Sequence, residues 1–302
     1  DGIIEVNKSL AEITLGNLDE KVKVSTNDEF RALSTGINSM VDALKAAIKE
    51  AAARIDNELA FARAIQLSAL PSRFPAFPDR SEFDIFADMR PAREVGGDFY
   101  DFFLMEDDKL AVVIADVSGK GIPAALFMMI SKTLIKNLAL SGISIGEVFT
   151  KANNSLCENN DAGMFVTAFI GVLDCKNGKF QYVNAGHNPP VIKKAAGSVE
   201  WLPVKPGMVL AGMEDIEYVE QEIILTPGDF LFLYTDGVTE ACNKALELYS
   251  NNRLLEELNK DTLNGRSTAA DIVECVLHSV ESFAEGAEQA DDITMLSLKY
   301  LG

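Results

Sequence analysis

The 302-residue sequence has no stretch approaching the ~18 consecutive apolar residues of a membrane-spanning helix, and no basic-then-apolar leader pattern opens it. Basic residues are scarce: 27 lysines and arginines face 46 aspartates and glutamates, for a net charge of −19. That sign repels phosphate backbones and anionic lipid, which argues against a general nucleic-acid-binding role. The surplus serves solubility, or part of it is gathered in a cation site. The four cysteines (Cys157, Cys175, Cys242 and Cys275) lack C-x-x-C and ladder spacing, which argues against a zinc site or a disulfide frame. They are expected to be reduced, mostly buried thiols of a cytoplasmic chain. No internal repeat or low-complexity tract is present. With 48% hydrophobic and 24% charged residues, the composition is that of a folded globular protein, and the length suits roughly two domains of ~150 residues.

The chain divides near residue 80. Leu70-Pro71-Ser72-Arg73-Phe74-Pro75-Ala76-Phe77-Pro78 is too rich in proline to continue a helix. Before it, Ile37, Val41, Leu44, Ile48, Ala51, Ile55, Glu58, Ala62, Ile65 and Ala69 alternate spacings of four and three, a heptad seam broken only by Glu58. A lone helix would leave this stripe wet. Packing on its own domain would cover it, but no nearby apolar helix matches its length, which favours a parallel homodimer through the N-terminal helices. Upstream, Asn27 or Asp28 is suited to cap the helix, with Glu29 favourable at its dipole-positive start.

After residue 80 the pattern shifts to aromatic and β-branched runs. Phe83–Pro91, Phe99–Leu104, Leu110–Ala115, Phe165–Leu173, Lys179–Ala185, Val219–Leu225, Phe230–Tyr234 and Ile293–Leu298 are predicted strands. Lys176-Asn177-Gly178 marks a hairpin turn, and Thr226-Pro227-Gly228-Asp229 links the sixth and seventh strands. Helical periodicity occupies about 122–140, 144–159 and 267–283. Strands, then helices, then strands indicate an α+β sandwich.

Chemistry collects where apolar strands end in aspartate: Asp98 after Gly96-Gly97, Asp116 after Leu110–Ala115, Asp236 after Phe230–Thr235, and Asp291 ahead of the last strand. Any one of these could be a turn former or cap. Four carboxylates converging at a core rim would repel one another and raise their own pKa values, a cost that a hard divalent cation removes. The small residues beside them leave room for backbone carbonyls and water.

Gly96–Asp101, Ala115–Leu126, Asn184–Pro190, Gly228–Asp229, Tyr234–Ala241 and Asp291–Thr294, in this order, resemble the SpoIIE-like branch of the metal-dependent PPM phosphatases, the protein phosphatase 2C superfamily. The resemblance covers residues 80–302. It implies two packed antiparallel sheets flanked by helices, with two Mn²⁺ or Mg²⁺ ions at the sheet edge. It further implies that Asp116 bridges both ions, the Val117 carbonyl supports one, Asp236 and Asp291 complete the second site, and Asp98 binds through water. Asp116 and Asp236 are then the leading catalytic residues. Two ions acidify and orient a water for in-line attack on phosphorus and neutralise the phosphoryl oxygens, so no covalent nucleophile is needed. The absence of a Cys-x5-Arg signature agrees. The implied substrate is a phosphorylated serine/threonine protein, typically a small STAS-domain anti-sigma antagonist. Cys242-Asn243, where Arg-Asn is common in the family, departs from the pattern and bears on substrate preference.

Residues 1–50 resemble a HAMP signalling module: a front-truncated helix, an extended connector beginning Gly16-Asn17-Leu18, the pair Asp28-Glu29, and a second helix with Asn38-Ser39-Met40. Such modules usually follow a membrane span, which implies a cytoplasmic piece of a longer receptor anchored in the inner membrane. The expected organisation is a HAMP-like module at 1–50, a coiled-coil linker at 51–79 and a phosphatase domain at 80–302.

His187 could act as a general acid, but Asn184-Ala185-Gly186 and Asn188-Pro189-Pro190 mark a tight turn that suits a structural histidine bonded to backbone. Lys120 could attract phosphate or be a solvated lysine, and Arg93, five residues before Asp98, could contact the substrate phosphate. Two alternatives stay open. A diguanylate cyclase would use the similar Gly96-Gly97-Asp98-Phe99, but its glutamate is missing and Asp236 and Asp291 go unexplained. A catalytically silent phosphoprotein-binding module would be expected to lose acidic ligands, and all four are present.

Overall fold

The protein is described by a computed structural model covering residues 2–23, 28–195, 197–205, 207–260 and 267–302. These form two compact units, Asp1–Phe61 and Ala62–Gly302. The capping side chains expected at Asn27 and Asp28 lie outside the described residues.

In the first unit, helix α1 (Gly2–Thr14) packs on the start of α2 (Asp28–Ala69). Val6 of α1, Val22 of the connector, and Ile37 and Val41 of α2 form a small core joined by Leu10, Ile13, Leu18 and Phe30. Asn38 clamps the connector, its amide donating to the Val22 carbonyl (3.0 Å) and accepting from the Val22 N–H (2.9 Å). The heptad seam therefore begins by packing within its own chain. Only beyond Val41 does it turn outward, with Leu44, Ile48 and Ile55 each about half exposed.

In the second unit, α2 ends at Ala69 and the proline segment lies across the first two strands. The rings of Phe74 and Phe77 sit 4.6–5.9 Å from those of Phe83, Phe86 and Phe102, and the Tyr100 hydroxyl donates to the Pro71 carbonyl at 2.7 Å. The remaining strands are β1 (Phe83–Arg90), β2 (Phe99–Met105), β3 (Lys109–Val117), β4 (Val166–Asp174), β5 (Lys179–Ala185), β6 (Val191–Lys193), β7 (Val199–Trp201), β8 (Gln221–Ile224), β9 (Phe230–Tyr234) and β10 (Ile293–Tyr300). Among the described residues they make two five-stranded antiparallel sheets, ordered β1-β10-β9-β6-β7 and β2-β3-β4-β5-β8.

Alternation fills the space between the sheets. Leu231 and Leu233 of β9, and Leu296 and Leu298 of β10, join the sandwich core, while Phe230, Phe232 and Tyr234 face a second cluster with α6 (Ser250–Leu258) and α7 (Ala269–Ala284). Helices α3 (Ile122–Ala139) and α4 (Ile145–Cys157) cover the other sheet through Ala124, Met128, Ile135, Val148 and Phe149. By length and composition α3 could cross a membrane, yet this packing makes it a flank of the sandwich.

Four details differ from the sequence expectations. Asp116 lies inside β3, opposite Thr167, not after the strand end. Strands β8 and β9 belong to different sheets, so Thr226–Asp229 is a corner between sheets; the buried Asp229 carboxylate accepts from the N–H groups of Thr226 and Ala195 and from Lys194. The three-residue strands β6 and β7, the four-residue α5 (Asp236–Thr239) and α6 were not anticipated, since such short strands and turns carry almost no periodicity. Finally, only Cys175 is fully buried; Cys157, Cys242 and Cys275 are half-buried free thiols.

One buried ion pair ties α3 to β2: Lys132 donates to Asp101 at 2.6 Å, with Lys136 at 3.4 Å on the same oxygen. Removing one partner of such a pair strands a buried charge. Asp101→Ala is expected to lower unfolding free energy by about 3–5 kcal/mol. The double change Asp101→Leu with Lys132→Met should recover part of that loss. Urea unfolding at neutral pH measures both.

Candidate metal centre

Two carboxylates come from each sheet. Asp98 immediately precedes β2 and Asp116 is the penultimate residue of β3; Asp236 opens α5 just after β9, and Asp291 stands two residues before β10. The apolar strands bury their length, so these positions meet at one rim, with Asp116 close enough to feel Asp98, Asp236 and Asp291. Burial, then the like charges of Asp116 and Asp292, push the Asp98 carboxyl well above the usual carboxylate range. Burial, then Asp236 and Asp291, push Asp116 up to about 7. Asp236 is raised by burial, Glu240 and Asp291, against the lowering effect of the Gly237 N–H and Lys120.

The backbone at the rim is held by groups that the sequence reading did not single out. The Thr235 hydroxyl donates to Asp98 Oδ2 at 2.7 Å and receives the Thr294 N–H at 3.1 Å. Asp292, the buried neighbour of Asp291, accepts from the N–H groups of Ala92 and Gly97, each at 2.8 Å, and of Asp98 at 3.4 Å. Gln66, in the last turns of α2, is bonded to Gly96. A β-carbon at Gly96, Gly97 or Gly237 would collide with the Asp292 carboxylate, the Val117 carbonyl and the Asp292 carbonyl respectively, so the three glycines let three chain segments meet. In the sequence, the only hint of this support was the doubled aspartate at 291–292.

Lys120 is exposed and donates to the Ala290 carbonyl (2.7 Å) and to Asp291 Oδ2 (2.8 Å), so reaching a phosphate would mean releasing Asp291. Arg93 is exposed on the segment between β1 and β2. Val117 is buried, its carbonyl packed against Gly97. A cavity of about 510 Å³ opens beside Asp291, lined in part by Lys120, Gly237, Glu240, Cys242 and Leu248. This places Cys242, the departure from the family pattern, next to the acidic rim.

Among the described residues no three acidic, histidine or cysteine side chains are gathered tightly enough to hold an ion by themselves. The donor chemistry nevertheless fits a hard divalent cation. The oxygens are carboxylate and carbonyl, their mutual repulsion is only partly compensated by Lys120 and the Thr235 hydroxyl, and the buried Thr294 hydroxyl makes no hydrogen bond. Mg²⁺ and Mn²⁺ sites of this type keep several waters and use only one or two carboxylates each.

A family model described as Stage II sporulation protein E (SpoIIE) matches residues 106–301, and a HAMP domain model matches residues 2–46. The chain belongs to the SpoIIE family. Its SpoIIE-family domain has the PPM phosphatase fold and follows a HAMP domain. Protein IcfG of Synechocystis sp. (strain ATCC 27184 / PCC 6803 / Kazusa) is 31% identical, over 98% of this chain and 50% of its own length. The chain thus spans about half of that relative. Phosphoserine phosphatase RsbU of Bacillus subtilis (strain 168) is 30% identical, over 81% of this chain and 70% of the relative. Among solved structures, the SiaA-PP2C domain of Pseudomonas aeruginosa superposes with a TM-score of 0.71 at 21% identity, covering 83% of this chain and 98% of that one, a likeness of fold.

In this SpoIIE-family fold His187 is fully enclosed. Nε2 lies 3.1 Å from the Tyr234 carbonyl, which can only accept, so Nε2 carries the proton and Nδ1 accepts from the Thr167 hydroxyl at 2.9 Å. Burial lowers its pKa from 6.5 to about 4. As pH falls, the unfolded chain therefore protonates His187 first, and the stability this residue contributes is present above pH 6.5 and lost on the way to pH 4. The loss amounts to roughly 3 kcal/mol at about 1.4 kcal/mol per pH unit. His187→Gln should be less stable than wild type at pH 7.5, and the gap should close by about that amount at pH 4. Turnover at neutral pH should fall by less than the ~10²-fold minimum of a lost general acid. Denaturant melts across pH 4–7.5, with rates at pH 7.5, check both parts.

Proposed function

We propose that the protein is a metal-dependent serine/threonine protein phosphatase that hydrolyses a phosphoprotein. The observation that carries this reading is the gathering of Asp98, Asp116 and Asp236 at the rim shared by the two sheets, each raised in pKa by burial first and then by neighbouring acids, with Asp291 acting on two of them. Family membership and the kinship with an enzyme named phosphoserine phosphatase support it. A cyclase reading leaves Asp236 and Asp291 idle, although both raise the pKa of Asp116.

In this proposal the centre holds two ions, Mn²⁺ or Mg²⁺. Asp116, the Val117 carbonyl, Asp236 and Asp291 would hold them directly, and Asp98 would do so through water. Bound, the ions would supply an acidified attacking water and positive charge for the phosphoryl oxygens. The chain's own contribution is to fix that arrangement. Thr235 and Asp292 hold Asp98 and its loop, Lys120 steadies Asp291, and the apolar sheets beneath support the rim. The cavity beside Asp291 is suited to the substrate chain flanking the phosphorylated residue, with Lys120 and Arg93 as candidate phosphate contacts. A STAS-domain phosphoprotein is the proposed substrate, consistent with kinship to RsbU.

The HAMP domain supports a homodimer through the N-terminal helices, and a membrane-associated parent with the phosphatase domain facing the cytoplasm. The outward seam residues Leu44, Ile48 and Ile55 are the proposed contact between protomers, and α2 the lever between input and catalysis. Its small seam residues Ala51, Ala62 and Ala69 would make it easier to rotate or rephase than a leucine-rich zipper.

Asp116→Asn and Asp236→Asn are each expected to lower Mn²⁺-dependent hydrolysis of p-nitrophenyl phosphate and of a phosphorylated STAS protein by at least ~10²-fold. Without metal, both should melt at or above the wild-type temperature, because repulsion is relieved. The rise in melting temperature on adding Mn²⁺ should shrink in both. Turnover within a few-fold of wild type would defeat the assignment.

Inserting four residues near Glu58 changes the phase of the seam. It should alter turnover while dimers persist by light scattering; unchanged turnover in a dimeric variant, and in a chain beginning at Asp79, would show α2 to be a passive stalk.

A further inference from the structure

We propose that Gln66 is a positioning residue for the metal centre, setting the Gly96-Gly97-Asp98 loop through a two-point amide clamp on Gly96. The inference rests on the metal-dependent reading above and assigns a role to a residue outside the acidic set. Gln66 is 2% exposed and lies in the last turns of α2, within the same compact unit as the sandwich. Its Nε2 donates to the Gly96 carbonyl at 2.6 Å, and its Oε1 accepts from the Gly96 N–H at 3.1 Å. One side chain thus satisfies both polar backbone groups of one residue, as a neighbouring strand would. An apolar residue here would leave a buried N–H and a buried carbonyl without partners.

The other side of the same loop is gripped by Asp292, which accepts from Gly97 and Asp98 and occupies the space a side chain at Gly96 would need. Two buried polar groups from opposite ends of the unit's sequence therefore meet across Gly96. Asp98 follows two residues later, fully buried, with its carboxylate accepting the Thr235 hydroxyl and interacting with Asp116. A loop fixed on one side only could shift by the fraction of an ångström that matters to an outer ligand. Groups that orient ligands in this way typically govern metal affinity or activity by about 10–100-fold. A second consequence concerns α2 itself. Ile65, adjacent to Gln66, is 60% exposed, so any partner that packs on that face presses on the turn that carries the clamp.

A purely structural amide would do no more than hold the fold together. Asn153 provides that comparison: it is buried, accepts from the Ala211 N–H at 2.9 Å and donates to the Met213 carbonyl at 2.7 Å, on a different loop. The test uses the full chain as wild type, Gln66→Met, Gln66→Glu and Asn153→Ala. Hydrogen exchange of residues 92–98 is measured in metal-free protein, Mn²⁺ affinity by calorimetry, and p-nitrophenyl phosphate turnover against Mn²⁺ concentration. Expected are faster exchange at Gly96–Asp98 in both Gln66 variants, and Mn²⁺ affinity about 10-fold or more weaker. The Mn²⁺ concentration for half-maximal turnover should rise in parallel. Gln66→Glu, which keeps the acceptor for the Gly96 N–H, should fall between wild type and Gln66→Met. Asn153→Ala should lose stability with Mn²⁺ affinity within two-fold of wild type. Unchanged exchange and affinity in Gln66→Met would overturn the proposal, as would equal metal defects in Asn153→Ala. If wild type itself shows no Mn²⁺-dependent hydrolysis, the phosphatase reading falls, while exchange at Gly96–Asp98 still judges the clamp.

Discussion

Like-charge repulsion among carboxylates seated on an apolar base is the constraint around which this molecule is organised. Two sheets bury their lengths against each other, and each delivers two aspartates to the same rim, where burial and neighbouring acids raise the pKa of Asp98 and Asp116. Lys120 answers Asp291 and the Thr235 hydroxyl answers Asp98, but Asp116 is left facing the charges of Asp236, Asp291 and Asp292. Such an arrangement opposes folding unless something arrives to balance it, and natural sequences keep a locally unfavourable cluster where function demands it. The glycines, the Thr235 hydroxyl and the Asp292 carboxylate all serve to hold those groups where their charges oppose most.

The holding is done repeatedly by the same device. Asn38 on Val22, Gln66 on Gly96, Asn160 on Met164 and Asn184 on His187 each use one side-chain amide to donate to a carbonyl and accept from an N–H of the same residue. Each clamp fixes a segment outside regular strands, where backbone groups would otherwise go unpaired. Carboxylates do related work at the sheet-to-sheet corner through Asp229 and at the Gly96–Asp98 loop through Asp292. Irregular segments that must hold position near chemistry are thus tied by short polar side chains, while the apolar core supplies the bulk of the stability.

Much of this was legible from the sequence because the strands that matter are long and uniformly apolar. Leu110–Ala115 and Phe230–Tyr234 announce buried strands whose ends must carry polar residues, so Asp116 and Asp236 stood out. The α+β sandwich followed from the same runs and its two antiparallel sheets from the family resemblance, and the structure has that architecture. The supports were hidden for a physical reason. Gln66 and Asp292 act across 30 and 195 residues of sequence, and no local pattern encodes a bond of that span. Short elements such as β6 and α5 were invisible because three or four residues cannot display a period. The seam of α2 was read as one continuous stripe, yet Ile37 and Val41 are covered by Val6 and Val22 of the same chain, a division that alternating spacings cannot reveal.

Strand order has a temporal corollary. Among the described residues the strand β1 pairs with β10 alone, with Phe83 opposite Tyr300, so the unit's first strand waits for nearly its last residue. During synthesis the sheet built from β2 to β8 can close long before then, carrying Asp98 and Asp116, while β9 and β10 bring Asp236 and Asp291 at the end. Pairings of such span make assembly slow, since a long loop must close before the contact rewards it. They also mean that a chain cut between Asp236 and Asp291 holds three of the four aspartates and none of the closing strand. Closure of the sheet and completion of the acidic rim are thus one event, because the segment that brings Asp291 is the one that seats β10 between β1 and β9.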